Sequence, residues 1–184
     1  MTISGDNFQQ GQQRGQYSYY FSQLPHCWGW ASWRRSWRLY HTAIDHFKEI
    51  MAEQSYQDFT HYPLANIMWR KNFYKTLQRE INTWDYLWVF ASFVNHGLTI
   101  LPQQNLVKNI GFGKDATHTT GTSRGYGIVE TDSVTFPLQH PPYMCLHKEA
   151  DTFSYQTHFR VRPKQQKGAL HRLLSFLKAV RNAK

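Results

Sequence analysis

The sequence predicts a mixed α/β fold, helix-rich in its first half, and three features carry that expectation. Trp30, Trp33 and Trp37 recur at i, i+3 and i+7, the spacing that lines one face of a helix. Residues 84–94 read as a further helix, with Trp84, Leu87, Trp88 and Ala91 on one side. Leu98-Thr99-Ile100-Leu101, closed by Pro102, is a short apolar run of the kind that makes a buried strand.

The remaining elements follow in chain order. Residues 1–16 are a Gln- and Gly-rich lead-in with one short extended piece near Ile3. Residues 18–40 open extended and aromatic, Pro25 punctuates them, and helical spacing takes over after Gly29 with Arg34, Arg35 and Arg38 off the tryptophan face. Helices are expected over 43–53 and 64–80, the second because Pro63 suits a first-turn position. His96-Gly97 is a helix stop. Residues 105–110 read as extended, 111–113 as a turn and 114–127 as a loop rich in Gly, Thr and Ser. Residues 128–136 are expected to be a strand, and Pro137, Pro141 and Pro142 make the following stretch rigid and irregular.

At 184 residues the chain is about one domain, and 41% hydrophobic against 18% charged residues is the profile of a globular protein. An aromatic share of 16% promises a core or a binding face built from rings. Apolar runs stay far below the ~20 residues of a membrane span, and the first residues lack the basic start and apolar stretch of a signal peptide. With Cys27 and Cys145 alone, a disulfide scaffold is excluded and a reducing, cytoplasmic setting is the expectation.

The net charge of +9 is unevenly placed. Eight of the 21 cations lie in residues 159–184, which hold no acid, leaving 13 cations to set against 12 acids elsewhere. The body is thus nearly neutral and the tail is a basic arm, which argues against a nucleic-acid partner despite the overall charge. Leu170, Leu173, Leu174, Leu177 and Val180 recur at helical spacing within that arm. A basic amphipathic C-terminal helix of this kind suits an anionic membrane surface, reached through residues 160–184. Packing back on the body is the alternative.

Phosphate-loop, dinucleotide-binding, serine-hydrolase and zinc-protease motifs are all missing. Ten histidines include no pair at metal-ligand spacing; His140, Cys145 and His147 come nearest. Cys27 beside His26 is a nucleophile only if its thiolate is stabilised, and an inert buried thiol is the alternative. Three stretches carry more. In HCWGWASWRRSW (residues 26–37), small residues between tryptophans suit a backbone that approaches a flat ligand while indoles stack on it, a core helix being the plain alternative. Trp84-Asp85-Tyr86-Leu87-Trp88 sets one carboxylate among rings, a setting for a tuned general base or simply a helix cap. Residues 109–119 combine glycines, hydroxyls, Lys114 and His118, the parts of a phosphate contact or of a surface loop.

These stretches occur in an order that resembles a known family. SGDNF (residues 4–8), SYYFS (18–22), HCWGWASWRRSW, WDYLW (84–88), LPQQNLVKNIGFGKDATHT (101–119) and FPLQHPP (136–142) together are similar to the C-terminal half of bacterial nucleotide-diphospho-sugar transferases. These are GT-A-type glycosyltransferases, some described as haemolytic-protein-like, with a distant likeness to N-acetylglucosaminyltransferases. The resemblance covers about residues 3–142 and implies a partial GT-A-like domain over 17–158, with 1–16 as remnant strand and lead-in and 159–184 as the arm. It implies a nucleotide sugar as donor, a glycan or lipid-linked acceptor, and in the intact family a divalent metal (Mn or Mg) on the diphosphate. By the same resemblance Asp85 is the candidate catalytic base or an acceptor contact, Trp28, Gly29, Trp30 and Trp84 are candidates for the acceptor platform, and His118 is a candidate contact to diphosphate or metal.

One departure matters. The half that binds the nucleotide, with its acidic metal motif, has no counterpart here, and Glu130-Thr131-Asp132 stands in the wrong place to replace it. The resemblance therefore implies a truncated or split enzyme, weak or inactive alone, with a separately encoded N-terminal half as a partner. A non-catalytic carbohydrate- or protein-binding remnant and a basic protein at the inner face of the membrane are the competing readings.

Overall fold

In a computed structural model of the chain, residues 1–53, 58–110 and 130–163 are described. The fold is mixed α/β. Among the described residues, nine elements run in the order β1 (Thr2–Ser4), β2 (Tyr19–Ser22), β3 (Trp30–Ser32), α1 (Arg34–Asp45), α2 (Phe47–Ala52), α3 (Pro63–Leu77), α4 (Asp85–Val94), β4 (Thr99–Pro102) and α5 (Lys148–Thr157). The strands form one sheet ordered β2-β4-β1-β3, with β1 and β4 parallel and the outer pairs antiparallel. Ala31, Ile3, Ile100 and Phe21 oppose one another in register, making an apolar row across the sheet.

The core lies among the helices and is built from rings. Phe47, Trp69, Phe73, Trp88, Phe90 and Phe93 are all buried, and Phe90 meets Phe47 at 4.8 Å and Phe73 at 5.3 Å between centroids. Ring contacts at tilted and edge-on angles use the quadrupole as well as the buried area. The high aromatic share is thus spent mainly on packing. Helix α4 is its centre: six consecutive residues, Trp88 to Phe93, are buried, so it is enclosed on every side and not merely along the expected stripe. Trp88 Nε1 donates to Thr2 Oγ1 at 3.1 Å and ties this helix to the middle of the sheet.

Helix α3 begins with Pro63 in its first turn, as the sequence predicts, and buries Ala65, Trp69 and Phe73. Helix α4 ends at the expected stop, where His96 adopts φ 50° and the Gly97 amide donates to the Ser92 carbonyl at 2.7 Å.

Four expectations need correction. Residues 30–32 are strand, not the start of a helix, because Trp30, Ala31 and Ser32 pair with Ser4, Ile3 and Thr2. The helix begins only at Arg34, and Trp33 and Trp37 remain 40% and 37% exposed instead of lining a core face. The helix expected over 43–53 is split, its first residues belonging to α1 and the rest to the short α2. The described part of 128–136 contains no strand, and the second half is not wholly irregular, since α5 packs against β2. The leucine-bearing arm, apart from residues 159–163, lies outside the described residues, as does the loop at 114–127. No described helix is long and apolar enough to cross a membrane.

Candidate functional site

The N-terminal SGDNF stretch is a buried polar loop. Asp6 and Asn7 are 1% and 3% exposed, and Asn7 Nδ2 donates to the carbonyls of Pro102 and Gln103 at 2.6 and 3.1 Å. That clamp holds the loop beside the end of β4. Two residues further, Gln9 Nε2 donates to the Ala150 carbonyl and to Ser154 Oγ, which fastens the same loop to α5. Buried polar side chains of this sort are stable only because each finds a partner.

This loop and residues 25–28 face the start of α4 across a cavity of about 220 Å³. Its polar lining residues include Asp6, His26, Cys27, Asp85, Tyr86 and His158. Its apolar wall is made mainly of rings, among them Phe8, Trp28, Trp69 and Phe159. Phe8 and His158 stack at 3.8 Å, nearly parallel, and Phe8 meets Trp28 edge-on at 5.6 Å.

Asp85, the first residue of α4, does two things. Its Oδ1 accepts from the Tyr86 amide at 2.8 Å and from Thr83 Oγ1, which brackets the helix start. Its Oδ2 turns to the cavity and accepts from Cys27 Sγ at 3.8 Å. Burial, and next the negative charge of Asp85, push the Cys27 thiol up to about 12. The nucleophile reading of Cys27 fails on that ground, because a thiol so held is protonated at neutral pH.

Asp6 and His26 form a second polar unit. His26 Nδ1 lies 2.8 Å from Asp6 Oδ1, which also accepts from Ser4 Oγ at 2.9 Å. His26 is 6% exposed, and its Nε2 has no hydrogen-bond partner among the described residues. His158 stays uncharged near neutrality, since burial pushes it down to about 4.

The residues assigned to an acceptor platform separate. Trp28 lines the cavity beside Asp85. Trp30 and Trp84 instead stack on each other at 5.3 Å, in a cluster with Trp37 and Trp88 that leaves Trp84 44% exposed. Gly29 has φ 60°, and a Cβ there would sit 2.4 Å from Val107 Cγ1. The glycine is therefore required by its backbone and by Val107. His118 lies outside the described residues.

The described residues offer no cage for a divalent metal. Among the described residues, no three His, Cys, Asp or Glu side chains converge as ligands. His140 is bonded to Tyr19 OH, His147 caps α5 through the Ala150 amide, and Cys145 is exposed. Glu130 and Asp132 line a different, wider cleft of about 730 Å³ with Asn7 and Asn105.

Sequence reasoning did not find Asp6, Phe8, His26 and His158 as members of one site. Asp6 and Phe8 belong to the SGDNF motif and His26 opens the tryptophan-rich one, so the signal was two motifs whose meeting only the fold reveals. Compared with family models, curated proteins and solved structures, the chain matches none of them.

Proposed function

We propose that this chain carries the acceptor side of a glycosyltransferase that uses a nucleotide-diphospho-sugar. One observation carries the reading: a carboxylate, Asp85, and an indole, Trp28, lie on the same ring-walled cavity. A pyranose presents C–H faces that suit aromatic rings and a rim of hydroxyls that suits carboxylate and imidazole. The cavity's size, about 220 Å³, fits one such ring.

In this reading Asp85 Oδ2 exchanges the weak thiol donor Cys27 for the attacking hydroxyl of the acceptor. The acceptor oxygen bonds to the anomeric carbon of the donor sugar, the bond from that carbon to the diphosphate breaks, and the hydroxyl proton passes to Asp85. A divalent metal, which the resemblance implies for the intact family, would supply charge neutralisation at the diphosphate, and the described residues do not provide its ligands. The part of the described residues is to bind the acceptor and take its proton.

Tryptophan fluorescence of the full chain, titrated with methyl pyranosides, tests the reading. Saturable binding that Trp28→Leu removes and Trp33→Leu leaves intact is the expected result. If no pyranoside binds, or if Trp28→Leu binds as the parent does, the reading is wrong.

A further inference from the structure

Both oxygens of Asp85 are engaged, whereas two buried polar atoms of cavity-lining residues, His26 Nε2 and Trp69 Nε1, have no hydrogen-bond partner among the described residues. His26 sits against Asp6 with its Nδ1 2.8 Å from a carboxylate oxygen, and a carboxylate can only accept. A neutral ring in that setting carries its proton on Nδ1, so Nε2 presents a lone pair. Phe8 packs on the imidazole at 4.8 Å and fixes its plane. Nε2 is buried and unpartnered among the described residues. A buried acceptor without a donor is costly, and it marks a place where a ligand donor would be rewarded.

The charges around it narrow the ligand. Among the described residues no lysine or arginine lines the cavity, and its two carboxylates, Asp6 and Asp85, repel an anion. Both carboxylates already accept from protein donors, Asp6 from Ser4 and His26, and Asp85 from Thr83, Tyr86 and Cys27. They do not call for a cation. What is left over among the rings is Nε2 of His26, with the indole N–H of Trp69.

We propose that this cavity selects a neutral pyranoside, with His26 Nε2 accepting from one ring hydroxyl and Asp6 acting as the residue that orients His26. The proposal rests on the acceptor-site reading and adds to it the charge class of the acceptor and a second residue that reads its hydroxyls.

The test uses the full chain and named probes: methyl glucopyranoside, methyl galactopyranoside and methyl mannopyranoside, their monodeoxy forms, methyl glucuronide as anion and methyl glucosaminide as cation. For the pyranoside that binds, one monodeoxy form should bind roughly threefold to tenfold more weakly, the worth of one hydrogen bond. In His26→Phe that discrimination should vanish while the other positions keep theirs. Nitrogen-15 spectra of histidine-labelled parent protein give a readout that needs no variant. Nε2 of His26 should be unprotonated in the free protein and should shift when the pyranoside is added. Tighter binding of the glucuronide or the glucosaminide overturns the proposal, as does a protonated or unresponsive Nε2. Pyranoside binding without any of the His26 effects overturns it and leaves the acceptor-site reading standing. If none of the pyranosides binds, both fall.

Discussion

Cys27 Sγ donates to Asp85 Oδ2 across 3.8 Å, joining residues 58 positions apart in sequence. The contact has two consequences. It gives the cavity-facing carboxylate oxygen a protein donor in the absence of ligand, and it makes the thiol a reporter of the charge on Asp85.

Cys27 should resist alkylation. With its thiol pushed up to about 12, mainly by burial and secondly by Asp85, only a minute fraction is thiolate at pH 8. Cys145 is exposed and should be carbamidomethylated first under native conditions. Asp85→Asn removes the charge and should speed reaction at Cys27 without reaching the rate of Cys145, since burial remains. Peptide mass mapping over time measures both rates. Equal rates at the two cysteines in the parent would show that the cavity does not shelter Cys27.

Gly29→Ala should destabilise the chain by about 2–4 kcal/mol, combining the cost of a positive φ with overpacking. The new Cβ would lie 2.4 Å from Val107 Cγ1. Val107→Ala in the same chain removes that methyl and should restore part of the loss, while the φ cost stays. Urea denaturation of the two single variants and the double variant reads the coupling. Strict additivity would mean that the backbone, and not Val107, dictates glycine at this position.

Helices α3 and α4 were legible because their signals are local. A proline opens α3, a His-Gly stop closes α4, and apolar residues recur within each. Strand β3 was not, because the tryptophan spacing after Gly29 fits a helix equally well until pairing with β1 decides the matter. Helix α5 was hidden for a different reason. Its buried face is Ala150, Asp151, Ser154 and Tyr155, too polar to register as a hydrophobic stripe. The acids Glu149 and Asp151 in its first turn were the signal that could have found it. In the site, Asp85 and Trp28 could be singled out as isolated residue types. The pairing of Asp6 with His26 could not, since it exists only once β1 and the 25–28 segment are brought side by side.

Two buried groups should drive stability in opposite directions between about pH 6.5 and pH 4. Asp151 accepts from Ser22 Oγ at 2.5 Å and from the Gln23 amide, yet burial dominates and pushes its carboxyl up from 3.8 to about 6. The folded chain therefore takes up a proton at Asp151 before the unfolded chain does, and this term grows more stabilising as pH falls through 6 towards 3.8. His158 is pushed down from 6.5 to about 4, so the unfolded chain takes up that proton first and stability is lost as pH falls below 6.5. Asp151→Asn should leave the His158 loss unopposed, and His158→Gln should leave the Asp151 gain. Urea midpoints between pH 7 and about 4.5 should accordingly fall for the first variant and rise for the second, each relative to the parent. Parallel curves for the two variants would refute the assignment.

Asp85→Asn should separate chemistry from binding. The asparagine carbonyl can still accept from the Tyr86 amide and Thr83 Oγ1, so the start of α4 should survive. What it cannot do is take a proton. Transfer is measured from a nucleotide-diphospho-sugar in a reconstructed enzyme that joins this chain to a donor-binding half. Turnover should fall by roughly 10²–10⁴, the usual worth of a general base. Pyranoside affinity should change only a few-fold, because the amide nitrogen that then faces the cavity can donate to the hydroxyl oxygen in place of accepting from it. The ratio of the two effects is the decisive quantity. A large loss of affinity with little loss of turnover would make Asp85 a binding residue, and a loss of neither would leave it a bracket for the helix.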